Sequence, residues 1–255
     1  MRKQPELRYR MAAREALQIL LHLLPREWKR RLGVYLGCCD LNWSLEQMKR
    51  FGFMPRNVLD VGAFQGEWAK SCLKVYPQAH IMCIEPQEDA QSKLRGLARQ
   101  HPNLKVIQTL LGSQVSPHIP FQEIGSGSSV LLHPYGNVST KPMTTIDQLI
   151  FGKWLDPPEL VKLDVQGYEK EVLKGWVRGF EKCQVIECEI SLLPLVTGSP
   201  LLPEIIEYLQ MRDFVIFDIT ELIRSPSDGT VWQIDALFCR KDSPLRTDRV
   251  WRIEA

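Results

Sequence analysis

From Asn57 onward, short apolar runs alternate with amphipathic segments, which is the pattern of buried strands followed by helices. The apolar runs occupy residues 57–62, 80–85, 104–111, 159–165, 184–190, 214–219 and 231–240. The helical patterns occupy residues 66–75, 87–100 and 144–151, the residues after Gly167 and those after Pro200. This order predicts an α/β fold with a doubly wound, mostly parallel sheet and helices on both faces, the last two runs being candidates for an antiparallel pair.

Two segments depart from this alternation. Residues 112–143 are rich in Gly, Ser and Pro, which predicts a loop or small strands over a site. Residues 1–33 carry nine Lys or Arg against three acids among apolar positions, which predicts a basic amphipathic helix or helix pair. We therefore divide the chain into an N-terminal helical extension, residues 1–50, and a main domain, residues 51–255. The extension is expected to pack on the domain or on a second subunit in a homo-oligomer, with weak membrane-surface contact through residues 1–33 as the alternative.

Composition narrows the class of protein. The 255 residues are 44% hydrophobic and 24% charged with a net charge of +2, as in an ordinary globular protein. No apolar run approaches the roughly 20 residues that span a bilayer, and no signal-peptide pattern is present. Seven cysteines without disulfide-framework spacing predict reduced thiols and a cytoplasmic location. The near-neutral charge and the lack of a nucleic-acid-binding signature predict no nucleic-acid partner.

The carboxyl ends of the first two predicted strands indicate a nucleoside-bearing cofactor, because ligands of such sheets bind there. Gly62 permits a tight turn after Asp60, and Gly66 lets the following helix start close to the sheet. Glu85 ends the second strand, 23 residues after Gly62, where an acid accepts hydrogen bonds from both ribose hydroxyls. The lack of a third glycine favours S-adenosylmethionine over NAD, and its amino group can pair with Asp60. The predicted cofactor-binding residues are Asp60, Gly62, Ala63, Gly66, Glu85, Pro86 and Gly112.

Six motifs, in one order, carry a resemblance to a known family. They are VLDVGAFQG (58–66), IEP (84–86), GSGSSVL (125–131), TTIDQL (144–149), VKLDVQGYEKEVLKG (161–175) and IECEIS (186–191). In these motifs the chain resembles the FkbM-type S-adenosylmethionine-dependent methyltransferases, over about Val58 to Phe238. The resemblance implies a seven-stranded Rossmann-like methyltransferase sheet and O-methylation of a hydroxyl, often on a sugar, glycolipid or polyketide-type metabolite. Phe64 stands where many members carry Asn, and Gln166 stands where many carry Glu.

The predicted chemistry requires a group that activates a hydroxyl, which is a poor nucleophile. Asp164, at the end of a central strand, is the candidate general base or metal ligand, with a helix cap as the alternative. Glu187 and Glu189 share one strand face, where they either line the site or pair with cations. His133 is a further candidate base. For Glu169 two roles stay open: an acid that offsets the helix dipole, or a residue of the site. The predicted catalytic residues are thus Asp164, His133 and Glu187, and a divalent cation, if bound, has Asp164, Glu187 and Glu189 as candidate ligands.

These features predict an S-adenosylmethionine-dependent O-methyltransferase. Its acceptor is predicted to be a small molecule with a hydroxyl, which is sugar-containing, lipid-like or a secondary metabolite. One alternative is a non-catalytic cofactor-binding scaffold, suggested by the basic segment that begins the chain. The other is an RNA methyltransferase, against which the near-neutral charge weighs.

Overall fold

The computed structural model describes Trp28, residues 39–131 and residues 137–246. His133 lies outside the described residues, as does nearly all of the basic segment 1–33. The predicted roles of these parts therefore stay predictions. None of the helices in the described residues has the length and apolar character needed to cross a membrane.

The strands and helices follow the order that the hydrophobic pattern predicts. The strands are β1 (Asn57–Val61), β2 (His80–Ile84), β3 (Leu104–Ile107), β4 (Leu110–Leu111), β5 (Ser116–Glu123), β6 (Asn137–Thr144), β7 (Leu160–Leu163), β8 (Val185–Ser191), β9 (Phe214–Arg224) and β10 (Val231–Arg240). The helices of residues 39–246 are α1 (Leu41–Arg50), α2 (Glu67–Val75), α3 (Glu88–Gln100), α4 (Ile146–Phe151), α5 (Glu169–Lys174) and α6 (Leu202–Gln210). Short 3₁₀ turns occupy Gly125–Gly127, Phe180–Lys182 and Pro244–Arg246.

Seven strands form one sheet in the order β3-β2-β1-β7-β8-β10-β9. The neighbouring strands β3, β2, β1, β7 and β8 pair in parallel, and β10 pairs antiparallel with both β8 and β9. The order reverses between β1 and β7, and this switch in strand order is where doubly wound sheets bind ligands. The predicted doubly wound, mostly parallel sheet with a final antiparallel pair is confirmed.

Helices cover both faces of this sheet, because its central strands are apolar on both sides. One hydrophobic core packs α4, α5 and α6 against Leu59 and Val61 of β1. The other core packs α1, α2 and α3 against Val58. Since side chains alternate along a strand, Asp60 shares the second face with Val58. A buried acid therefore stands at the edge of an otherwise apolar core.

The predicted strand over residues 104–111 is in fact two strands in different sheets, and the prediction of one strand is wrong. β3 ends at Ile107, and β4 joins a three-stranded sheet of order β4-β6-β5. Thr109 marks the break: its Oγ1 donates a hydrogen bond to the Pro142 carbonyl, 3.0 Å away, in the last part of β6. An apolar run does not reveal a change of partner strand, so the pattern could not show this division. The predicted small strands within residues 112–143 are β5 and β6.

α1 lies inside the predicted N-terminal extension and packs on the main sheet. The chain forms two compact units that divide between Asp40 and Leu41, and α1 begins the second unit. Leu45 and Met48 of α1 are fully buried, and the Tyr76 hydroxyl donates a hydrogen bond to the Leu45 carbonyl, 2.9 Å away. The predicted domain boundary stays a prediction, although α1 belongs to the core of the second unit.

Trp176 is the largest fully buried side chain among the described residues, and its ring packs edge-on against Phe180 with centroids 4.6 Å apart. We expect Trp176→Ala to lower the free energy of unfolding by about 3–5 kcal/mol, because it leaves a large cavity. Urea unfolding followed by circular dichroism measures this change. The control Trp154→Ala removes a side chain that is 68% exposed, and its effect should stay within about 0.5 kcal/mol. Equal losses in the two variants would contradict the described core.

Candidate active site

One cavity of about 350 Å³ opens at the carboxyl ends of β1, β2 and β7, within the 300–1,000 Å³ usual for small-molecule sites. Of the predicted site residues, those that line it are Asp60, Gly62, Ala63, Glu85, Pro86 and Asp164. Those that do not line it are Gly66, Gly112, Glu187 and Glu189. Ser126, in the 3₁₀ turn after β5, and Ser128, just after that turn, also line it.

Gly62 lets the turn after β1 approach the end of β7. Its φ is +79°, and a Cβ at this position would lie 1.8 Å from the Asp164 carbonyl oxygen. Phe64 has a φ of +43°, a left-handed conformation in which Asn is strongly enriched. The position at which many resembling proteins carry Asn is therefore a strained backbone position in this chain.

The two glycines outside the cavity serve packing. Gly66 starts α2 with a φ of +85°, and a Cβ there would lie 2.9 Å from the Leu97 side chain. A Cβ on Gly112 would lie 2.5 Å from Met143 Sδ. Sequence alone cannot separate a glycine that makes room for a neighbouring side chain from one that makes room for a ligand.

Glu85 ties the turn after β1 to the start of α3. Its Oε2 accepts a hydrogen bond from the Phe64 N–H at 2.7 Å, and its Oε1 accepts one from the Gln87 N–H at 2.9 Å. Burial raises the pKa of Glu85 above its ordinary value, against the effect of these hydrogen bonds. Each carboxylate oxygen keeps a further acceptor site, so Glu85 can also bind a hydroxyl.

Asp60 is the most deeply buried acid that lines the cavity, with 1% of its surface exposed. Its Oδ1 has no hydrogen-bond partner among the described residues. Burial raises the pKa of Asp60 from 3.8 to about 8, although the Lys162 ammonium acts in the opposite direction. A buried carboxyl without a partner is costly, so this atom is suited to a ligand that brings an N–H donor.

Beyond Asp60, the same face of the sheet carries further charged groups in two adjacent rows. In the first row, Lys162 pairs in register with Asp60 on one side and Glu187 on the other. In the second row, Asp235 of β10 pairs with Glu189 on β8 and Glu221 on β9, and Asp164 follows β7 at this level. We call the six acids the carboxylate cluster: Asp60, Asp164, Glu187, Glu189, Glu221 and Asp235.

Lys162 is the cation at the centre of the carboxylate cluster. Its Nζ lies 2.9 Å from Asp235 Oδ2 and 3.4 Å from Asp164 Oδ2, and only 5% of its side chain is exposed. Burial alone lowers the pKa of a lysine, but the carboxylates of Asp164, Glu187 and Asp235 outweigh it and raise the pKa of Lys162. Lys162 and Asp235 both line the cavity, and neither was predicted as a site residue.

Glu187 and Glu189 share one face, as predicted, but both are bonded within the protein. Glu187 is fully buried and accepts hydrogen bonds from Trp68 Nε1 at 2.7 Å and Thr220 Oγ1 at 2.9 Å. Burial raises the pKa of Glu187 to about 7. Glu189 Oε2 accepts from the side-chain amides of Gln166 and Gln233, at 2.8 and 3.0 Å.

The loop that carries Asp164 is held from two sides. Asp164 Oδ1 accepts a hydrogen bond from Gln166 Nε2 at 2.8 Å, and the Gln166 backbone has a φ of +55°. Glu169 is buried and accepts from the Val165 and Gly167 N–H groups at 3.0 and 3.1 Å. α5 starts after Tyr168, so Asp164 is not its N-cap, and Glu169 shapes the loop without lining the cavity.

The predicted metal ligands do not form a metal site in this structure. Among the described residues, no group of three or more His, Cys, Asp or Glu is arranged to hold a metal ion. Asp164, Glu187 and Glu189 instead accept hydrogen bonds from neighbouring amide, indole and hydroxyl groups. These contacts do not fit a shared cation, so we derive no metal step.

The fold and cavity define a ligand-binding α/β protein, and a family model sharpens this class. The model for the methyltransferase FkbM domain matches residues 60–216. The chain belongs to this family and is a methyltransferase, which confirms the resemblance in the sequence motifs. Family membership also favours an enzyme over the non-catalytic scaffold.

Individual proteins that are similar to this chain share little sequence identity with it. The hexuronic acid methyltransferase AglP of Haloferax volcanii is 27% identical over 169 residues, which cover 62% of this chain and 68% of that protein. A Burkholderia thailandensis 1,6-didemethyltoxoflavin-N1-methyltransferase, solved with S-adenosylhomocysteine, is 10% identical with a TM-score of 0.45 over 90% of each chain. Aeropyrum pernix fibrillarin, solved with S-adenosyl-L-methionine, is 14% identical with a TM-score of 0.44 over 76% of this chain and 74% of that one.

The raised pKa of Asp60 predicts a pH-dependent stability. Between pH 3.8 and about 8 the folded protein holds a proton that the unfolded chain has released, so the free energy of unfolding falls as pH rises through this window. Glu169 and Glu187 behave in the same way up to about pH 7. Between pH 7 and 8 we expect Asp60→Asn to remove a slope of about 1 kcal/mol per pH unit, because the folded protein releases part of this proton as the pH approaches the pKa of about 8.

Urea unfolding at several pH values measures this slope. The control Asp156→Asn changes an exposed aspartate and should leave the slope as in the wild type. An unchanged slope in Asp60→Asn would show that Asp60 is ionised well below pH 7.

Proposed function

We propose that the cavity binds S-adenosylmethionine and that the protein transfers its methyl group to a hydroxyl oxygen. The observation that carries this proposal is Asp60, which lines the same cavity as Glu85 and Asp164 and whose buried Oδ1 has no hydrogen-bond partner among the described residues. Three acids thus occupy neighbouring strand ends at the switch in strand order, where each matches a different part of the reaction.

The cofactor end of the cavity matches a nucleoside with an attached amino acid. Glu85 would accept hydrogen bonds from the two ribose hydroxyls with its remaining acceptor sites. Asp60 would pair with the ammonium group, which would stabilise its ionised form despite its burial. When bound, the cofactor supplies an electrophilic methyl group on a positively charged sulfur.

Asp164 would receive the proton of the acceptor hydroxyl. Its side chain is 30% exposed, so it can contact an acceptor, and its Oδ2 lies 3.4 Å from Lys162 Nζ. During methyl transfer Asp164 would take the proton of the acceptor hydroxyl and then release it to water. Gln166 and Lys162 hold the two carboxylate oxygens in place, which aligns the base before reaction.

A sugar-containing molecule is our proposed acceptor. AglP, the relative from Haloferax volcanii, is named for a hexuronic acid, and from this name we take only the sugar class of the acceptor and not its carboxyl group. The lipid-like and secondary-metabolite acceptors stay predictions, together with the cytoplasmic location, the homo-oligomer and the membrane contact of residues 1–33.

Isothermal titration calorimetry tests the cofactor. We expect wild-type protein to bind S-adenosylmethionine at one site, and Glu85→Gln to weaken binding by about tenfold or more, since it replaces a charged acceptor. The control Glu88→Gln changes an exposed acid at the start of α3 and should bind as the wild type does. A wild-type protein that binds no S-adenosylmethionine would refute the proposal.

Asp164→Asn tests the base, once mass spectrometry has identified an acceptor that gains one methyl group. We expect the turnover rate to fall by about 10²–10⁴-fold, since the amide cannot take the proton, while the affinity for S-adenosylhomocysteine, whose sulfur is neutral, stays within about twofold. The control Glu207→Gln alters an exposed acid on α6 and should retain full activity. Wild-type turnover in Asp164→Asn would remove Asp164 from the mechanism.

A further inference from the structure

The charged residues that line the cavity are almost all acidic. Among the described lining residues, Lys162 is the one basic side chain. The acids that line the cavity are Asp60, Glu67, Glu85, Asp164, Glu221 and Asp235. Two of them belong to the cofactor proposal, whereas Asp164, Glu221 and Asp235 lie together around Lys162. We call these four residues the acceptor end of the cavity.

We propose that the acceptor end selects a neutral or positively charged acceptor and rejects one that carries a carboxylate beside the reacting hydroxyl. Asp235 is the residue that we assign to hold this acceptor. The inference rests on the proposed function, and it adds a substrate class and a binding residue to it.

Lys162 cannot serve a negatively charged acceptor, because its charge is already engaged. Its Nζ contacts both Asp235 Oδ2 and Asp164 Oδ2, and its side chain is 95% buried. An acceptor carboxylate would therefore meet the remaining carboxylates in a partly desolvated site, where like charges repel strongly. A hydroxyl or an ammonium group would instead find hydrogen-bond acceptors.

Asp235 has one carboxylate oxygen that is held by Lys162 and a second that is available to accept a hydrogen bond. Lys162 holds its Oδ2 at 2.9 Å, whereas its Oδ1 is buried without a hydrogen-bond partner among the described residues. The residue is 8% exposed and lines the cavity. Buried polar atoms are usually hydrogen-bonded, so this acceptor atom is suited to a donor group of a ligand.

Gln166 keeps the acceptor end ordered without adding charge. Its Nε2 lies 2.8 Å from both Asp164 Oδ1 and Glu189 Oε2, so one amide bridges two carboxylates. The glutamate that many resembling proteins carry here could not donate these bonds when ionised. The amide therefore holds the Asp164 side chain in place next to Asp235.

Two ligands that differ in charge at the methyl position test this inference before any acceptor is known. S-adenosylhomocysteine has a neutral sulfur, whereas sinefungin has an ammonium-bearing carbon in its place. We expect calorimetry on the wild-type protein in low-salt buffer to show sinefungin binding at least about tenfold more tightly, because its ammonium faces the acceptor end. Asp235→Asn should reduce this preference several-fold, and the exposed control Asp156→Asn should leave it unchanged.

The outcomes separate the two proposals. Equal binding of the two ligands by the wild-type protein, or an unchanged preference in Asp235→Asn, would overturn the acidic acceptor end while leaving the cofactor site intact. Binding of neither ligand would overturn the proposed function itself. If circular dichroism shows that Asp235→Asn is unfolded, Glu221→Gln replaces it, because Glu221 is an exposed acid of the same end and its loss should also lower the preference.

Discussion

Burial of Lys162 among carboxylates is the interaction on which the active-site face of this methyltransferase depends. A lysine inside a central strand is expensive to bury unless carboxylates surround it. Asp235 supplies one carboxylate from β10, and Asp164 supplies another from the end of its own strand. The same ammonium thereby links β7 to β10 across β8 and holds Asp164, the proposed base, beside Asp235, the proposed binding residue for the acceptor. Removing this cation would leave several acids facing one another in a desolvated space.

Hydrogen bonds from carboxylates to backbone N–H groups order the loops around that face. Glu85 binds the turn after β1 and the start of α3, and Glu169 binds two N–H groups of the loop that follows Asp164. Gly62 then brings the two loops together, because any side chain there would collide with the Asp164 carbonyl. These contacts join groups of the protein itself and hold the loops around the cavity in place, which limits the entropic cost of binding a ligand.

The hydrophobic pattern predicted the seven main strands and the acids at their carboxyl ends, because both follow from local periodicity and chain order. Lys162 and Asp235 were missed for a different reason. In the sequence, each is a single charged residue within an apolar strand, with nothing to mark it as part of a site. The two meet only in the folded sheet, where β10 lies between β8 and β9 and Asp235 contacts Lys162. Gly112 was predicted to bind the cofactor, whereas the space beside it is filled by the Met143 side chain. The surroundings of all three residues depend on which distant strands pair with each other and in what register, and this cannot be read from a single sequence.

A crystal structure of the protein with S-adenosylhomocysteine tests the central claim most directly. The account predicts that the ribose hydroxyls lie within about 3.2 Å of the Glu85 carboxylate, that the amino group contacts Asp60, and that the sulfur faces Asp164. A ligand bound outside this cavity, or one whose sulfur points away from Asp164, would contradict it.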